Sequence, residues 1–442
     1  MPKETRVLAP DLARGAMLLF IALANAANCA FAGQPGLDPN PHGLGRVVNF
    51  LMATFVDARA YPVFAIMFGY GLVQLARRQP DRVLLRRNAM LIVFGAVHAT
   101  LLYFGDFLGA YGIVGLVATV LLVRRSDRVH RIVLWLWGIQ TVNAVILAVL
   151  ACTGFRGGTA GISNAPNPSL AAPSYWASLL DRVAEWPVHT ATVLPFIVIV
   201  WLGIWAARRR VLEDPAAHRT LLRWTAGVGL GISTLGALPY ALMAAGLVHA
   251  APGTVEAMAR VHAITGEYGG AGYVALFGLL ALRLSGGTPR VLQPVVALGQ
   301  RSLSGYLLQS VCWLVLFSPW ALGLGGTWAA LFAAIGVWAV SALGAQALAN
   351  RGVRGLVRGL APRGGGEASA LQGGVDVAAL RGGGEAVALR GGGDAPAPRG
   401  GGEAVALRGG GETPALPGGG EALALRGIRG PAEMLLRKFA YR

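Results

Sequence analysis

HTATVLPFIVIVWLGIWAARRR, residues 189–210, decides how the rest of the chain reads. From Ala191 to Ala207 there is no ionisable side chain, and the run ends on Arg208, Arg209 and Arg210. A helix needs about 20 apolar residues to cross the roughly 30 Å of hydrocarbon in a bilayer. Arginines set directly after such a run mark the side of the membrane that faces the cytoplasm.

The same figure recurs along the chain. Apolar blocks fall at about 12–32, 60–76, 88–104, 107–123, 131–151, 189–207, 221–246, 267–284, 302–318 and 327–349. Ten blocks imply about ten transmembrane helices and an all-α, polytopic membrane bundle. Short amphipathic segments near 45–57 and 254–265 precede the second and eighth blocks and suit the interface or a re-entrant path. The even-numbered exits carry Arg77, Arg78, Arg82, Arg86 and Arg87; Arg124, Arg125, Arg128 and Arg131; Arg208 to Arg210 and Arg219; Arg283, Arg290 and Arg301; and Arg351, Arg354 and Arg358. The odd-numbered exits are poor in basic residues, and there Arg46 and Arg59 are offset by Asp38 and Asp57. The alternation predicts that both termini face the cytoplasm. The loop at about 152–188 is rich in Gly, Pro, Ser and Asn and is expected to hold little regular structure.

Composition agrees. Of 442 residues, 55% are hydrophobic and 13% charged, too few charges to cover a soluble domain, where about a quarter is usual. The net charge of +17 does not make a nucleic-acid binder, because the arginines sit between apolar blocks and form no separate basic domain. Lys3 and Arg6 before the first block and Ala30-Phe31-Ala32 after it mimic a signal peptide, but Asp11 and Arg14 at its start read as a retained helix. Cys29, Cys152 and Cys312 show no metal spacing, and no metal is expected; Cys29 and Cys152 read as unpaired small apolar residues rather than a disulfide.

Residues 1–352 thus form the membrane unit, 353–427 a linker and 428–442 a C-terminal segment. From Arg363 to Leu425 a nine-residue unit repeats seven times, its fullest copy being Arg381-Gly-Gly-Gly-Glu-Ala-Val-Ala-Leu389. Calcium-binding β-rolls need aspartate after the glycines. Glutamate mostly stands there, as at Glu385, and Pro396, Pro398 and Pro414 interrupt two copies. The array reads as a disordered, Gly-rich cytoplasmic tail. Pro431 to Tyr441 reads as a basic amphipathic helix suited to the inner membrane surface.

Ionisable groups inside a span cost about 2.5–3.5 kcal/mol on insertion scales and need partners or a purpose. Asp11 and Arg14, one turn apart, can pair. His98 lies two-thirds across the third block, Asp106 follows in the turn to the fourth, and Tyr103 and Tyr111 flank them. An imidazole hydrogen-bonded to a carboxylate is the arrangement of a general base; the plainer reading is a neutral histidine packed against a neighbouring helix. Arg59 can snorkel, or pair with Asp57 or Asp106. Asn25, Arg59, His98, Asp106 and Glu267 share the outer half by level, as do His189 and His262, which predicts one polar cavity opening outward. Ser302, Tyr306 and Gln309 fall on one face of the ninth block, as substrate contacts or as interhelical glue.

Five motifs resemble a known family. They are Asp11-Leu-Ala-Arg14-Gly15 with Asn25; Arg59-Ala-Tyr-Pro-Val-Phe-Ala-Ile-Met-Phe68-Gly69-Tyr-Gly71; Gly95-Ala-Val-His98 with Gly105-Asp106-Phe-Leu-Gly-Ala-Tyr111; Leu298-Gly299-Gln-Arg301-Ser-Leu-Ser-Gly-Tyr306-Leu-Leu-Gln309-Ser310; and Gly430-Pro431-Ala-Glu433-Met-Leu-Leu-Arg437. In this order they resemble the YeiB-like family of bacterial inner-membrane proteins, domain of unknown function 418. Gly305 departs from the asparagine usual in the fourth motif, and the repeat array separates the C-terminal tag from the tenth block, so a docked tag requires the array to loop out.

The family is similar to membrane acyltransferases that acylate sugars. That resemblance implies a bacterial cytoplasmic-membrane protein that acylates an envelope glycan or small molecule from a donor such as acyl-CoA. It implies His98 and Asp106 as the catalytic pair and Arg14 or Arg59 as the holder of an anionic group. Asn25, Tyr111, Glu267, Tyr306 and Gln309 complete the expected substrate site. Two other readings stand beside it: a transporter using the same cavity, with Asp106 or Glu267 as a proton site, and a non-catalytic membrane scaffold.

Overall fold

The computed structural model describes residues 8–285, 287–360, 375–376, 390–391 and 429–440. Its helices are α1 (Leu8–Ala30), α2 (Leu44–Leu51), α3 (Ala60–Ala76), α4 (Asp81–Leu101), α5 (Leu108–Ala118), α6 (Asp127–Thr153), α7 (Pro168–Ala171), α8 (Tyr175–Val193), α9 (Ile197–Arg208), α10 (Arg219–Ala244), α11 (Pro252–Arg283), α12 (Gln293–Gly299), α13 (Ser302–Phe317), α14 (Thr327–Leu360) and α15 (Pro431–Ala440). Each of the ten apolar blocks lies on a helix, as it must where no water is present to satisfy backbone groups. Among the described residues seven helical stretches are long and apolar enough to cross a membrane, and Leu108–Val123 and Ser302–Phe317 are shorter apolar helices. The remaining block forms the second half of α11. The fold is that of an all-α membrane helix bundle.

The outside of the bundle is apolar. On α6 only His130, Trp137 and Ala151 are buried, while Trp135 is 75% exposed and Ile132, Leu134, Ile139 and Val142 are also exposed. In water such a helix would be a liability; in hydrocarbon it is an ordinary lipid-facing surface.

Inside, the helices meet through small residues. A Cβ on Gly69 of α3 would run into the Val200 carbonyl of α9, and one on Gly203 of α9 would run into the Ile66 carbonyl of α3. The same reciprocal fit joins α1 to α12, where Gly15 faces the Val295 carbonyl and Gly299 faces that of Asp11. Between lipid-soluble helices, where lipid is as apolar as leucine, close backbone approach is a main source of association. Three arginine-rich loops are tied together by ion pairs: Arg77 with Glu213 at 2.9 Å, Arg124 with Asp81 at 2.6 Å, and Arg208 with Asp127 at 2.9 Å.

Several expectations need correction. The 152–188 loop is ordered: residues 33–34 pair with 165–166, and α8 begins at Tyr175, its first turn capped by the Ser174 hydroxyl on the Ala177 N–H. Composition around Gly157 and Pro166 concealed a helix whose buried face, Ser178 and Arg182, is polar. Arg182 donates to the Thr100 carbonyl and to the Ser178 hydroxyl, which is why that face escapes a search for apolar periodicity. The segment at 254–265 is no separate element, because α11 runs without a break from Pro252. The 45–57 segment is α2 followed by a π-helical turn, Met52–Val56. Among the described residues the cysteines are free, with Cys29 buried and Cys152 exposed. The disordered-tail expectation for the repeats lies outside the described residues, apart from a two-residue antiparallel pairing of 375–376 with 390–391.

The C-terminal tag docks on the bundle. Helix α13 has no capping side chain of its own at Arg301. Glu433 of α15 supplies one: its carboxylate accepts the N–H groups of Leu303 at 2.8 Å and Ser304 at 3.1 Å and the Ser304 hydroxyl at 2.5 Å. The Ala432 N–H donates in turn to the Ser304 hydroxyl oxygen, at 3.1 Å. A carboxylate at a helix start satisfies orphan donors and meets the positive end of the macrodipole.

Candidate functional site

The helices surround a cavity of about 800 Å³. Arg14 and Asn28 on α1 both line it, as do Ala60 and Leu75 on α3. At about 1.5 Å rise per residue, the interval from Arg14 to Asn28 covers roughly 21 Å of helix axis. The cavity therefore runs lengthwise through the bundle. Its wall is aromatic: Tyr61 stacks on Phe196 at 4.4 Å, Phe68 on Tyr111 at 5.2 Å, and Phe107 meets His189 edge-on at 5.2 Å. Asp57, His189 and His262 line one end, and Arg14, Arg87, Gln300 and Glu433 the other. Leu436 lines that second end too, so α15 forms part of its wall.

Not all the candidate residues reach this cavity. Arg14, Asn25, Tyr111 and Tyr306 line it. Arg14 sits 3.7 Å from Asp11, and its Nη2 donates to the Met67 carbonyl at 3.3 Å. The Tyr111 hydroxyl donates to the Tyr61 carbonyl at 3.1 Å. The others separate into buried networks of their own, so the single outward polar cavity expected from counting levels is not what forms. Level along a helix does not determine which way a side chain faces.

The first network holds His98 and Asp106. Asp106 Oδ1 lies 2.9 Å from His98 Nδ1, and its Oδ2 accepts the Gly109 N–H at 2.7 Å, capping the first turn of α5. His98 Nε2 lies 2.8 Å from Ser310 Oγ on α13. A carboxylate facing Nδ1 favours the proton there, which leaves Nε2 as an acceptor for the serine hydroxyl, whose other acceptor is the Tyr306 carbonyl at 3.3 Å. Aspartate, histidine and serine thus stand in the order of a proton-relay triad. Gly95, one turn before His98, makes the room: a Cβ there would overlap the Asp106 carboxylate and the Gly109 backbone. All three side chains are buried, and none lines the cavity. Tyr306 stands between, its ring 4.9 Å from that of His98 and its own edge on the cavity.

The second network is built on Arg59, which is fully buried and so does not snorkel. It donates to the Asp57 carbonyl at 2.6 Å and to the Ser233 carbonyl and hydroxyl at 3.0 and 3.2 Å, tying α3 to α10. His262 Nε2 lies against Arg59 Nη1 and 2.8 Å from the Ala53 carbonyl, and its one ring position serves only one of them at a time. Asp106 is not among these partners. The Asp57 carboxylate stands 3.9 Å from His262 Nδ1.

Glu267 turns toward α6, where it accepts from Gln140 Nε2 at 2.7 Å, and is not on the cavity wall. Gln309 donates to the Leu18 carbonyl at 3.3 Å, with its Oε1 buried and without a partner among the described residues. Residues that sequence reasoning left out of the site include Asp57, Arg87 and Glu433 on the cavity wall and Ser310 at the end of the relay. Ser310 carried a readable signal, since it lies one turn beyond Tyr306 on α13. Among the described residues no cluster of three or more His, Cys, Asp or Glu side chains is placed to hold a metal.

Comparison with known proteins follows the same line. Residues 206–355 match the family described as "Protein of unknown function (DUF418)". That stretch holds His262, Glu267, Tyr306, Gln309 and Ser310, but not Arg14, Arg59, His98 or Asp106. The chain is similar to "Uncharacterized protein YxaH" of Bacillus subtilis (strain 168), 23% identical over 62% of this chain and 70% of the relative. It is 32% identical to "Uncharacterized 39.9 kDa protein in amylase 3'region" of Bacillus acidopullulyticus, over 26% of this chain and 33% of that protein. It is also 32% identical to "Uncharacterized protein YeiB" of Escherichia coli (strain K12), over 24% of this chain and 29% of the relative. The family match and these relatives bear out the YeiB-like, DUF418 resemblance carried by the motifs.

Proposed function

We propose that the protein is a carrier in a bacterial cytoplasmic membrane, with ten crossings and both termini inside, that binds a small amphipathic molecule in its lengthwise cavity and moves it across. The observation that carries this reading is the cavity itself, lined over about 21 Å of α1 from Arg14 to Asn28. That is some two-thirds of the roughly 30 Å hydrocarbon layer. Polar groups at both ends and aromatic rings between them suit a molecule with both polar and apolar parts. The arginine-rich loops held together at one end of the bundle support the orientation. The partners are the lipid bilayer and this small molecule, and no nucleic acid.

A second reading is a membrane group transferase acting on an envelope glycan or small molecule, with Asp106, His98 and Ser310 as base and nucleophile. The relay geometry favours it. Its burial behind Tyr306 counts against it, because a base must reach the proton it takes. Proteoliposomes holding the purified protein, incubated with an extract of bacterial amphiphiles and an acyl donor such as acyl-CoA, separate the two. The carrier reading expects an unmodified species enriched in the lumen, and a Tyr111→Ala or Phe68→Trp variant altering that enrichment. A new covalent product dependent on Ser310 and His98 identifies the transferase. Neither result, with folded protein, overturns both.

A further inference from the structure

We propose that the Asp57 end of the cavity binds the ammonium head of an organic cation, with the Asp57 carboxylate as its counter-ion and the Tyr61 and Tyr240 rings beside it. The inference deepens the carrier reading and rests on it.

The backbone around Asp57 fixes where its side chain stands. The π-helical turn Met52–Val56 ends at Asp57, whose backbone is extended, and Ala58 follows with a φ of 59°. A positive φ on a residue other than glycine is disfavoured and persists only where the surroundings hold it. Helix α11 provides that hold at Gly266, where a Cβ would stand 2.5 Å from the Ala58 carbonyl oxygen.

Arg59, two residues on, does not cover the carboxylate. Its guanidinium donates to the main-chain carbonyl of Asp57 and to the carbonyl and hydroxyl of Ser233, and it is buried off the cavity wall. The Asp57 side chain, by contrast, is 25% exposed and lines the cavity. Its carboxylate accepts the N–H of the adjacent Ala58, and His262 Nδ1 stands 3.9 Å away, beyond hydrogen-bond distance. Arginine can only donate, so the His262 Nε2 that faces Arg59 accepts and the ring is neutral. The other carboxylate on the wall among the described residues, that of Glu433, is engaged by the first turn of α13. Arg59 thus balances the Asp57 charge from behind the wall, and on the cavity side the carboxylate meets aromatic rings.

Tyr61 and Tyr240 line this end, both within electrostatic reach of the carboxylate. Tyr240 lies against His262, with ring centroids 4.8 Å apart. Tyr61 continues along the wall into Phe107 at 6.5 Å, and Phe107 into Tyr111 at 6.0 Å. Aromatic rings attract a cation through their quadrupole, and cages of them hold alkylammonium heads. An ammonium head at Asp57 lays its apolar part along the Tyr61–Phe107–Tyr111 rings.

The test uses the full-length chain in nanodiscs, with empty nanodiscs as the blank for partition into lipid. Titration calorimetry measures four probes of matched chain length: octyltrimethylammonium, octylammonium, neutral octanol and anionic octanoate. The proposal expects one or both cations to bind at least about tenfold tighter than octanol, a difference of about 1.4 kcal/mol. Octanoate should bind no tighter than octanol. Binding of octylammonium alone identifies a head that must donate hydrogen bonds; binding of both identifies charge and rings as sufficient. Asp57→Asn should bring the cations down to octanol, and Asp57→Glu, which keeps the charge, should keep the preference; thermal melting shows that each variant is folded. The wild-type series decides by itself if Asp57→Asn does not fold. Cations binding no tighter than octanol, a preference for octanoate, or a cation preference intact in folded Asp57→Asn overturns the cation site and leaves the carrier reading standing. The carrier reading fails separately, if proteoliposomes enrich no amphiphile.

Discussion

Glu433 and Ser304 are 129 positions apart, yet the Glu433 carboxylate closes the first turn of α13 by accepting the Ser304 N–H at 3.1 Å together with its hydroxyl. A helix that lacks a cap of its own borrows one from the C-terminal tag. The consequence is that α15, which also contributes Leu436 to the cavity wall, is fastened at its first turn by the contacts of Glu433 and Ala432 with Leu303 and Ser304.

Removing that residue should loosen α15 without destroying the bundle. Glu433→Ala is expected to cost about 1–2 kcal/mol, the usual worth of a helix cap. Limited proteolysis of the purified protein should cut near α15 faster in the variant, and Glu433→Gln should be intermediate. Unchanged proteolysis would mean that the apolar face of α15 alone holds it.

The glycine contacts between α3 and α9 should be intolerant of any side chain. Gly69→Leu is expected to destabilise by at least about 1–3 kcal/mol, the overpacking range, because the obstacle is the Val200 backbone and cannot rotate away. Gly203→Leu should do the same. Gly138 on α6, where a Cβ would meet nothing, is the matched control and should accept leucine with little change in thermal stability.

The His98 network makes a prediction that differs between its members. His98→Ala strands the fully buried Asp106 with one oxygen unpaired, and breaking a buried pair costs about 3–5 kcal/mol. Ser310→Ala removes the hydroxyl that His98 Nε2 and the Tyr306 carbonyl share and leaves no charge stranded, so it should cost less, about 1–2 kcal/mol. Expression and thermal melting of the two variants check the ranking. If the Ser310 variant melts like the wild type but loses every measurable activity, the relay is chemical rather than structural.

On the lipid face, Ile139→Arg should impair insertion, since arginine at a helix centre costs about 2.5–3.5 kcal/mol on insertion scales. The fraction of protein recovered in the membrane pellet measures it. A variant that inserts as well as the wild type would place α6 against protein rather than lipid.

What could be read from sequence was whatever is local. Hydrophobic length located the ten helical blocks, and spacing paired Asp11 with Arg14 and brought His98 to Asp106 across one short turn. What could not be read depends on azimuth and on distance along the chain. Arg59, Glu267 and Asn25 sit at similar levels, yet Arg59 faces Ser233, Glu267 faces Gln140, and only Asn25 opens on the cavity. The α8 helix hid behind a Gly- and Pro-rich lead and a polar buried face built on Arg182. The docking of Glu433 on Ser304 leaves no periodic trace in sequence, though the glutamate of the fifth motif was its one visible sign.

In the proposed carrier the cavity runs along the membrane axis with its α15 end inward. In a cysteine-free full-length background, Asn28→Cys and Leu75→Cys mark its two ends, and a membrane-impermeant thiol reagent is added to intact spheroplasts and to inside-out vesicles. The account predicts that Cys at position 28 labels from the spheroplast exterior, and that Cys at 75 labels only in inside-out vesicles, faster once Glu433→Ala loosens α15. Labelling of both positions from the same side would contradict it.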